Sequence, residues 1–497
     1  MNLVDAILFQ CRYQPAVPAM LTPGACFNLV SYEHLGSIIH NVARAAERRG
    51  LQRGDIVHLA VKDPLLHVAL ILGLTKLGVV TLSGSGASVM SSLRVTTIMT
   101  DHELGADSSA SVTRVDPEWL DGDGTSSNDT FDGAPDDICR LVLTSGTTGE
   151  PKAAVFTQRR FAFRSMRHQT IYGHRFAECS RLVLDMGMST SMAYTTMFYT
   201  LWRGGTLAFR GPDPVQTLQA FLNFKVEAVV GNPNTFAEFV ELHRRMPTLF
   251  APFKAMVSVG SMLAPALAER ASARLGANLI SSYGSTEAGI VACAPASVLM
   301  EHEGAVGYVT HHAQIDVLDK EGSLLRPGES GVLRIRSDVG ADGLLDPENQ
   351  IIPFDRLGYF PGDLGAVTEE GLLLLSGREN AVLNLGGNKI NAEQIEKTAN
   401  ALPQVRDAAA FSVTAPSGLQ ELGVAIAWTD GVDVSAARIN LQGYLKASLP
   451  QRCIPKIYLQ MERIPRTAAG KIDRRELQAI VDRTTSRTGA RVTNDRV

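Results

Sequence analysis

Apolar residues follow two spacings along the first 84 positions, and the spacings alternate. The run Ser31-Tyr32-Glu33-His34-Leu35 opens a helix whose apolar positions recur at helical intervals through Val42 and Ala46. A turn at 50–55 breaks that pattern, and 56–61 reads as a strand. A helix is expected over 66–78 and a short strand over 79–82. The alternation continues with a buried strand through Ile138, Leu141, Val142 and Leu143, a helix around 161–170, a strand at 181–184 and a helix leading to Trp202. Further α/β units follow at 215–233 and 255–258. Strands alternating with helices predict an α/β fold built in layers.

From 307 to 367 the pattern changes to short strands separated by turns such as Asp319-Lys320-Glu321-Gly322 and Arg326-Pro327-Gly328-Glu329. This predicts a β subdomain at about 307–370. Beyond Arg378 lies a piece of the right size for a small α+β domain, with a helical pattern at 392–401 and strands at 408–413 and 424–429. A chain of 497 residues is too long for one ordinary core. The expected division is a large N-terminal domain, 1–378, and a small C-terminal domain, 379–497, with the polar stretch 483–497 as a disordered tail.

With 45% hydrophobic and 20% charged residues, the composition is that of a globular protein. A net charge of −4 gives no broad electrostatic reason to expect nucleic acid. The six cysteines lack paired spacing, which argues against zinc and a disulfide framework and fits a reducing, cytoplasmic setting. The N-terminus lacks the basic-then-apolar order of a signal peptide. The longest apolar segment, 68–82, contains Lys76 and is too short to span a bilayer, so no membrane is expected.

The densest candidate chemistry is Thr144-Ser145-Gly146-Thr147-Thr148-Gly149-Glu150-Pro151-Lys152, directly after a buried strand. Glycines let a backbone approach a polyanion, hydroxyls and N–H groups donate to phosphate oxygens, and lysine adds positive charge. The stretch reads as a loop holding a triphosphate, or as a plain Ser/Thr/Gly surface turn. It is not the usual P-loop, because Pro151 separates Gly149 from Lys152. Other motifs also have bland readings when taken singly. Glu287 suits a helix N-terminus, Asp363 a turn, Tyr283 a core and Lys471 a solvated surface. The pairs His311-His312 and Asp136-Asp137 read as surface groups.

The order of the motifs says more than any one of them. The runs 144–152, 283–289, Tyr359-Phe360-Pro361-Gly362-Asp363, Gly377-Arg378, Leu385-Gly386-Gly387-Asn388-Lys389-Ile390 and 465–471 together resemble the adenylate-forming superfamily over nearly the whole chain. That superfamily contains acyl- and aryl-CoA synthetases, firefly-type luciferases and peptide-synthetase adenylation domains. The resemblance implies ATP as co-substrate, with Thr144, Ser145, Gly146, Thr147, Thr148, Gly149 and Lys152 around its outer phosphates. It implies that Gly260, Ser261 and Met262 flank the adenine with Ser282, Tyr283 and Gly284, and that Thr286 bonds the α-phosphate. Glu287 would hold Mg²⁺, Asp363 the ribose hydroxyls, and Arg378 would sit by ribose and phosphate. Lys471 would bridge carboxylate and α-phosphate. In the second half-reaction Gly386 and Gly387 would line the channel for a pantetheine thiol, after the small domain swings about a hinge near Asn380.

The acid pocket departs most from the family. Candidate lining residues are Met186, Met188, Ser191, Met192, Asn232, Ser261 and Ile290. Methionines suit an adaptable apolar pocket, although a core role serves them equally. Amino-acid-activating relatives place an Asp at about Ser191. Without it an α-ammonium would enter unpaired, which disfavours amino acids. Ala153 stands where the family usually has Gly, and Pro361 where it has Thr. The expected function is an acid–thiol ligase that makes an acyl-AMP and then an acyl-CoA. The alternatives are loading of a separate carrier protein's phosphopantetheine, or a catalytically silent nucleotide-binding homologue.

Overall fold

The helix expected from residue 31 forms as Tyr32–Arg48, with the Ser31 side chain accepting from the His34 N–H at its start. Asp63 caps Pro64–Leu77 in the same way, and Gly78 ends it in the left-handed conformation at φ 80°. These elements belong to a computed structural model describing residues 2–25, 27–84, 93–104, 110–121, 133–145, 151–346, 348, 350–354, 358–378, 382–385, 388–414, 420–449, 451–467 and 470–488. The chain divides into two units. The first comprises 1–315 with 334–359, and the second 316–333 with 360–497.

The first unit contains two sheets. One runs in the order Ala305–Val309, Gly289–Pro295, Leu279–Ser285, Ala255–Ser258, Ala228–Gly231, Arg181–Asp185, Thr206–Ala208, Pro18–Leu21, Leu29–Ser31. Its central strands, from Leu279–Ser285 to Pro18–Leu21, are parallel. Side chains alternate across a strand, so a sheet covered on both faces needs apolar residues at every position. Leu182 and Leu184 therefore join one core with Phe161, Tyr194 and Phe198, while Val183 joins another with Leu218, Phe236 and Phe239. The other sheet runs Ile351–Ile352, Gly343–Leu345, Pro151–Thr157, Ile138–Ser145, Val80–Ser83, Ile56–Ala60, Thr97–Thr100, Ser111–Arg114. Val57, Val142 and Ala154 of this sheet share the first core with Leu182 and Val257 of the other.

The strand Gly343–Leu345 falls within the stretch read as all-β, yet it pairs with Pro151–Thr157 in the first unit. His312, read as a surface residue, is buried at 5% exposure, with Nε2 2.8 Å from the Ile290 carbonyl oxygen. A polar ring with a backbone partner is tolerated in a core.

In the second unit, strands Val405–Thr414, Gln420–Trp428 and Ile457–Gln460 form a sheet. One face packs Ala408, Val424 and Ile426 against Ile395 of helix Ala392–Asn400 and Leu441 and Leu445 of helix Val434–Ser448. The other face receives Leu477 and Val481 of helix Arg474–Thr488. That helix corrects the expected start of a disordered tail at 483. Its buried pair at i, i+4 holds a largely polar segment helical through Thr488, and 489–497 lie outside the described residues. Among the described residues no helix is long and apolar enough to cross a membrane. The thiols of Cys11, Cys139, Cys179, Cys293 and Cys453 are free.

Glu227 ties three segments of the first unit together. Its carboxylate accepts from the Ser180 and Arg181 N–H groups (2.9 and 3.2 Å) and from Lys254 Nζ (2.7 Å). Burial alone would raise its pKa, but these donors outweigh burial and hold it at about 2. The stabilisation is therefore full above the unfolded value of about 4.3 and is lost as pH falls toward the folded one. Glu227→Gln is expected to cost about 1–3 kcal/mol at pH 7, with the deficit shrinking below pH 4. Urea melts of both proteins across pH check this.

Candidate active site

Three neighbouring parallel strands of the first unit, Arg181–Asp185, Ala228–Gly231 and Ala255–Ser258, end level with one another. Gly231 lies opposite both Asp185 and Ser258, and Ser258 opposite Ser281. The segments that leave their carboxyl ends therefore line up along one edge of the sheet, which is where open α/β sheets bind ligands. Met186, Met188, Ser191 and Met192 follow Arg181–Asp185, and Asn232 follows Ala228–Gly231. Gly260, Ser261 and Met262 follow Ala255–Ser258. Ser282, Tyr283, Gly284, Thr286 and Glu287 occupy the end of Leu279–Ser285 and the turn after it. Residues scattered over a hundred positions of sequence are thus brought to one edge by register alone.

That turn is fixed by close backbone approach. A Cβ on Gly284 would lie 2.0 Å from the Gly289 carbonyl oxygen, and Gly289 has φ 79°. The Ser285 hydroxyl accepts from the Ala288 N–H at 3.0 Å, and the Glu287 carbonyl accepts from the Ala341 N–H at 2.7 Å. Tyr283 packs beside Ala288, Val291 and Ile335. Glu287 is buried, whereas Met262 is exposed. Gly260 has φ 97°, a conformation that glycine adopts readily. Ser191 stands in the first turn of helix Ser191–Trp202, and Ile290 opens the returning strand Gly289–Pro295. Asn232 caps helix Pro233–Arg245, its Oδ1 accepting from the Asn234 and Thr235 N–H groups. Met188 and Met192 belong to the main core, with Met186 packed against it.

Two buried arginines beside this edge escaped sequence reasoning. Arg140 lies fully buried in Ile138–Ser145. Its Nη1 donates to Thr81 Oγ1 at 3.2 Å, and its Nη2 donates to Ser83 Oγ and to the Met188 carbonyl, each at 2.8 Å. Its guanidinium stacks 4.8 Å from the Tyr194 ring centroid. Arg164 donates to the Thr286 carbonyl and to Ser191 Oγ, each at 3.1 Å. Among the described residues neither has a carboxylate at ion-pair distance. Burial lowers both pKa values to about 10, which leaves both groups charged at neutral pH. The signal in sequence was Arg140 itself, a charge inside an apolar strand pattern.

Arg140 also fixes the neighbouring protons. It can only donate, so Ser83 Oγ accepts from it and passes its own proton toward His67 Nε2 at 2.8 Å. His67 Nδ1 then carries the hydrogen that reaches the Val61 carbonyl at 3.1 Å. Burial, reinforced by the Arg140 charge, keeps the ring neutral with a pKa near 3.

The stretch read as a phosphate turn begins and ends on two strands that pair antiparallel. Thr144 and Ser145 end Ile138–Ser145, and Pro151 and Lys152 begin Pro151–Thr157, with Thr144 opposite Lys152. Lys152 is exposed, and Gly146, Thr147, Thr148 and Gly149 lie outside the described residues.

In the second unit, Asp363–Val367 pairs antiparallel with Leu372–Arg378, which sets Asp363 directly opposite Arg378. Asp363 is buried. Lys471 sits in a tight turn closed by an Arg466–Ile472 bridge, with the Thr467 N–H donating to the Lys471 carbonyl at 2.8 Å. Arg466 clamps that turn, bonding Asp407 through Nε and Nη2 (2.8 and 2.7 Å) and the Gly470 carbonyl through Nη1 (2.6 Å). Gly386, Gly387 and Asn380 lie outside the described residues, the two glycines between the paired Leu385 and Asn388. Arg466→Ala is expected to speed hydrogen exchange at the Thr467 and Gly470 amides by tenfold or more, with sheet amides of Gln420–Trp428 unchanged. Exchange followed by mass spectrometry checks it.

Residues 10–345 match the family of AMP-binding enzymes. The chain is 26% identical over 487 residues to isonitrile lipopeptide synthase of Streptomyces coeruleorubidus, covering 91% of this chain but only 32% of that protein. It is 25% identical over 506 residues to a 4-chlorobenzoate–CoA ligase of an Arthrobacter species, covering 95% of this chain and 94% of the relative. Its fold is that of the anthranilate CoA ligase AuaEII, solved with anthranoyl-AMP. The TM-score is 0.80 at 18% identity, over 98% of each chain.

Proposed function

The chain belongs to the AMP-binding enzyme family, within the adenylate-forming superfamily, and from that membership we propose that it is an acid–thiol ligase. A carboxylate attacks the α-phosphorus of ATP, pyrophosphate leaves, and the acyl group of the resulting acyl-AMP passes to the thiol of CoA with release of AMP. The observation that carries this reading is the level ending of Arg181–Asp185, Ala228–Gly231 and Ala255–Ser258, which supports giving one sheet edge to both the acid, at 186–192, and the nucleotide, at 260–262 and 282–287.

Two like unit charges about 4 Å apart repel by roughly 4 kcal/mol at an effective dielectric of 20. The site must therefore supply fixed positive charge and dipoles where the carboxylate meets the phosphate. In this reading Thr144, Ser145, Lys152 and the glycines between them hold the outer phosphates. Gly260, Ser261 and Met262 border the adenine, which lies against Tyr283, and Thr286 bonds the α-phosphate. The positive φ of Gly260 supports that assignment, because bare backbone lets a flat ring approach. Glu287 offers a buried carboxylate suited to Mg²⁺, which would neutralise phosphate charge when bound. Asp363 accepts from the ribose hydroxyls, and its place opposite Arg378 supports giving both to one sugar. Lys471 bridges carboxylate and phosphate in the first half-reaction. Gly386 and Gly387 line the thiol's path in the second, after rotation about a hinge near Asn380. Met186, Met188, Ser191, Met192, Asn232 and Ile290 border the acid. The free thiols support a reducing, cytoplasmic setting.

Carboxylate-dependent exchange of pyrophosphate into ATP, across a panel of apolar acids, tests the first step. Exchange is expected with at least one acid, ATP ending as AMP, and Lys471→Ala should reduce it by about 100-fold or more. Gly387→Trp should spare exchange and block thioester formation. No exchange with any acid would favour a silent nucleotide-binding homologue. Thioester formed on a holo-carrier protein but not on CoA would move the acceptor to a carrier.

A further inference from the structure

The ligase reading leaves Arg164 without a role. It lies on helix Gln158–Ile171 with its guanidinium buried and 5.2 Å from the Phe156 ring centroid. It reaches three separate elements at once. Nη1 donates to the Thr286 carbonyl at 3.1 Å and toward the Val339 carbonyl at 3.5 Å, while Nη2 donates to Ser191 Oγ at 3.1 Å. An apolar side chain would fill the same space without the cost of burying a cation. It would not, however, join those acceptors or place a cation between Ser191 and Thr286, where the buried Glu287 carboxylate offsets its charge only in part, from beyond ion-pair distance.

We propose that Arg164 is a positioning residue that sets the distance between the acid pocket at Ser191 and the nucleotide-side turn at Thr286, and that its charge favours a carboxylate there. This rests on the ligase reading. Ser191 begins a rigid helix, and Thr286 precedes the buried Glu287 in a turn that tolerates little movement. A planar fork bonded to both holds the spacing more tightly than packing alone, because its donors are fixed in one plane. In a near-attack geometry, displacement by about 1 Å costs on the order of 100-fold in rate. The same positive charge discriminates against acids that carry an ammonium group, as like charges repel in a water-poor site.

The test is pyrophosphate exchange by the full chain with its best acid, measuring kcat and both KM values for wild type, Arg164→Met and Arg164→Lys. Arg164→Met should raise the acid KM and lower kcat, together reducing kcat/KM for the acid by about 10- to 100-fold. The KM for ATP should stay within about twofold, and Arg164→Lys should recover part of the loss. Ser191→Ala removes one acceptor with little change in volume, so it should show the same acid-selective signature in milder form if Arg164→Met does not fold. Unchanged acid kinetics in these variants, or equal losses for acid and ATP with no recovery by lysine, would overturn the proposal while leaving the ligase reading intact. A wild-type chain inactive with every acid would remove the ligase reading and this proposal with it.

Discussion

A parallel sheet imposes one constraint from which most of this molecule follows. Each interior strand must pair with two neighbours running the same way, so all carboxyl ends emerge on one side. In the first unit Asp185, Gly231 and Ser258 are held level by their pairing, and the chain has to turn at each of those points. Turns free of ladder bonds are where side chains and bare backbone are available for chemistry. The position of Met186–Met192 beside Gly260 and Tyr283 is thus a by-product of hydrogen-bond register, and packing on both faces of the sheet keeps that register from slipping.

Much of this was legible in sequence because the signals were local. The helix beginning after Ser31, the strand at 56–60 and the strand at 181–185 are written in the spacing of their own apolar residues. The motif residues were found by type and order, and pairing then brought several of them together, as with Asp363 and Arg378. What stayed hidden depends on partners far away. The three-residue strand Gly343–Leu345 carries no information about which sheet receives it. Short strands such as Leu29–Ser31 and Ser111–Arg114 have too few residues for an alternation to register. His312 reads as polar, and its burial becomes intelligible only with the Ile290 carbonyl and the Thr310 hydroxyl beside its Nε2. Arg164 stands among other basic residues of Gln158–Ile171, and only the fold brings Ser191 and Thr286 to its guanidinium.

The buried arginines of the first unit and Arg466 of the second use charge differently. Around Lys471, Arg466 meets Asp407 in a bidentate pair, so the clamp is electrically closed. Arg140 and Arg164 instead bond carbonyls and hydroxyls, with the Glu287 charge acting on Arg164 from beyond ion-pair distance. Neutral acceptors shape the guanidinium's surroundings without quenching its field. A turn that must keep its shape is served by the closed pair.

The pairing of Gly343–Leu345 with Pro151–Thr157 has a consequence for the order in which the chain can mature. Asp342 reaches back to the Thr157 amide across 185 positions of sequence. A ribosome releases residues from the N-terminus onward, so the outer edge of Pro151–Thr157 stays bare while that long span is still being made. Bare strand edges invite pairing with other chains. That edge is thus open to misassembly while residues 158–342 are being made, and late arrival of a three-residue strand ends that vulnerability.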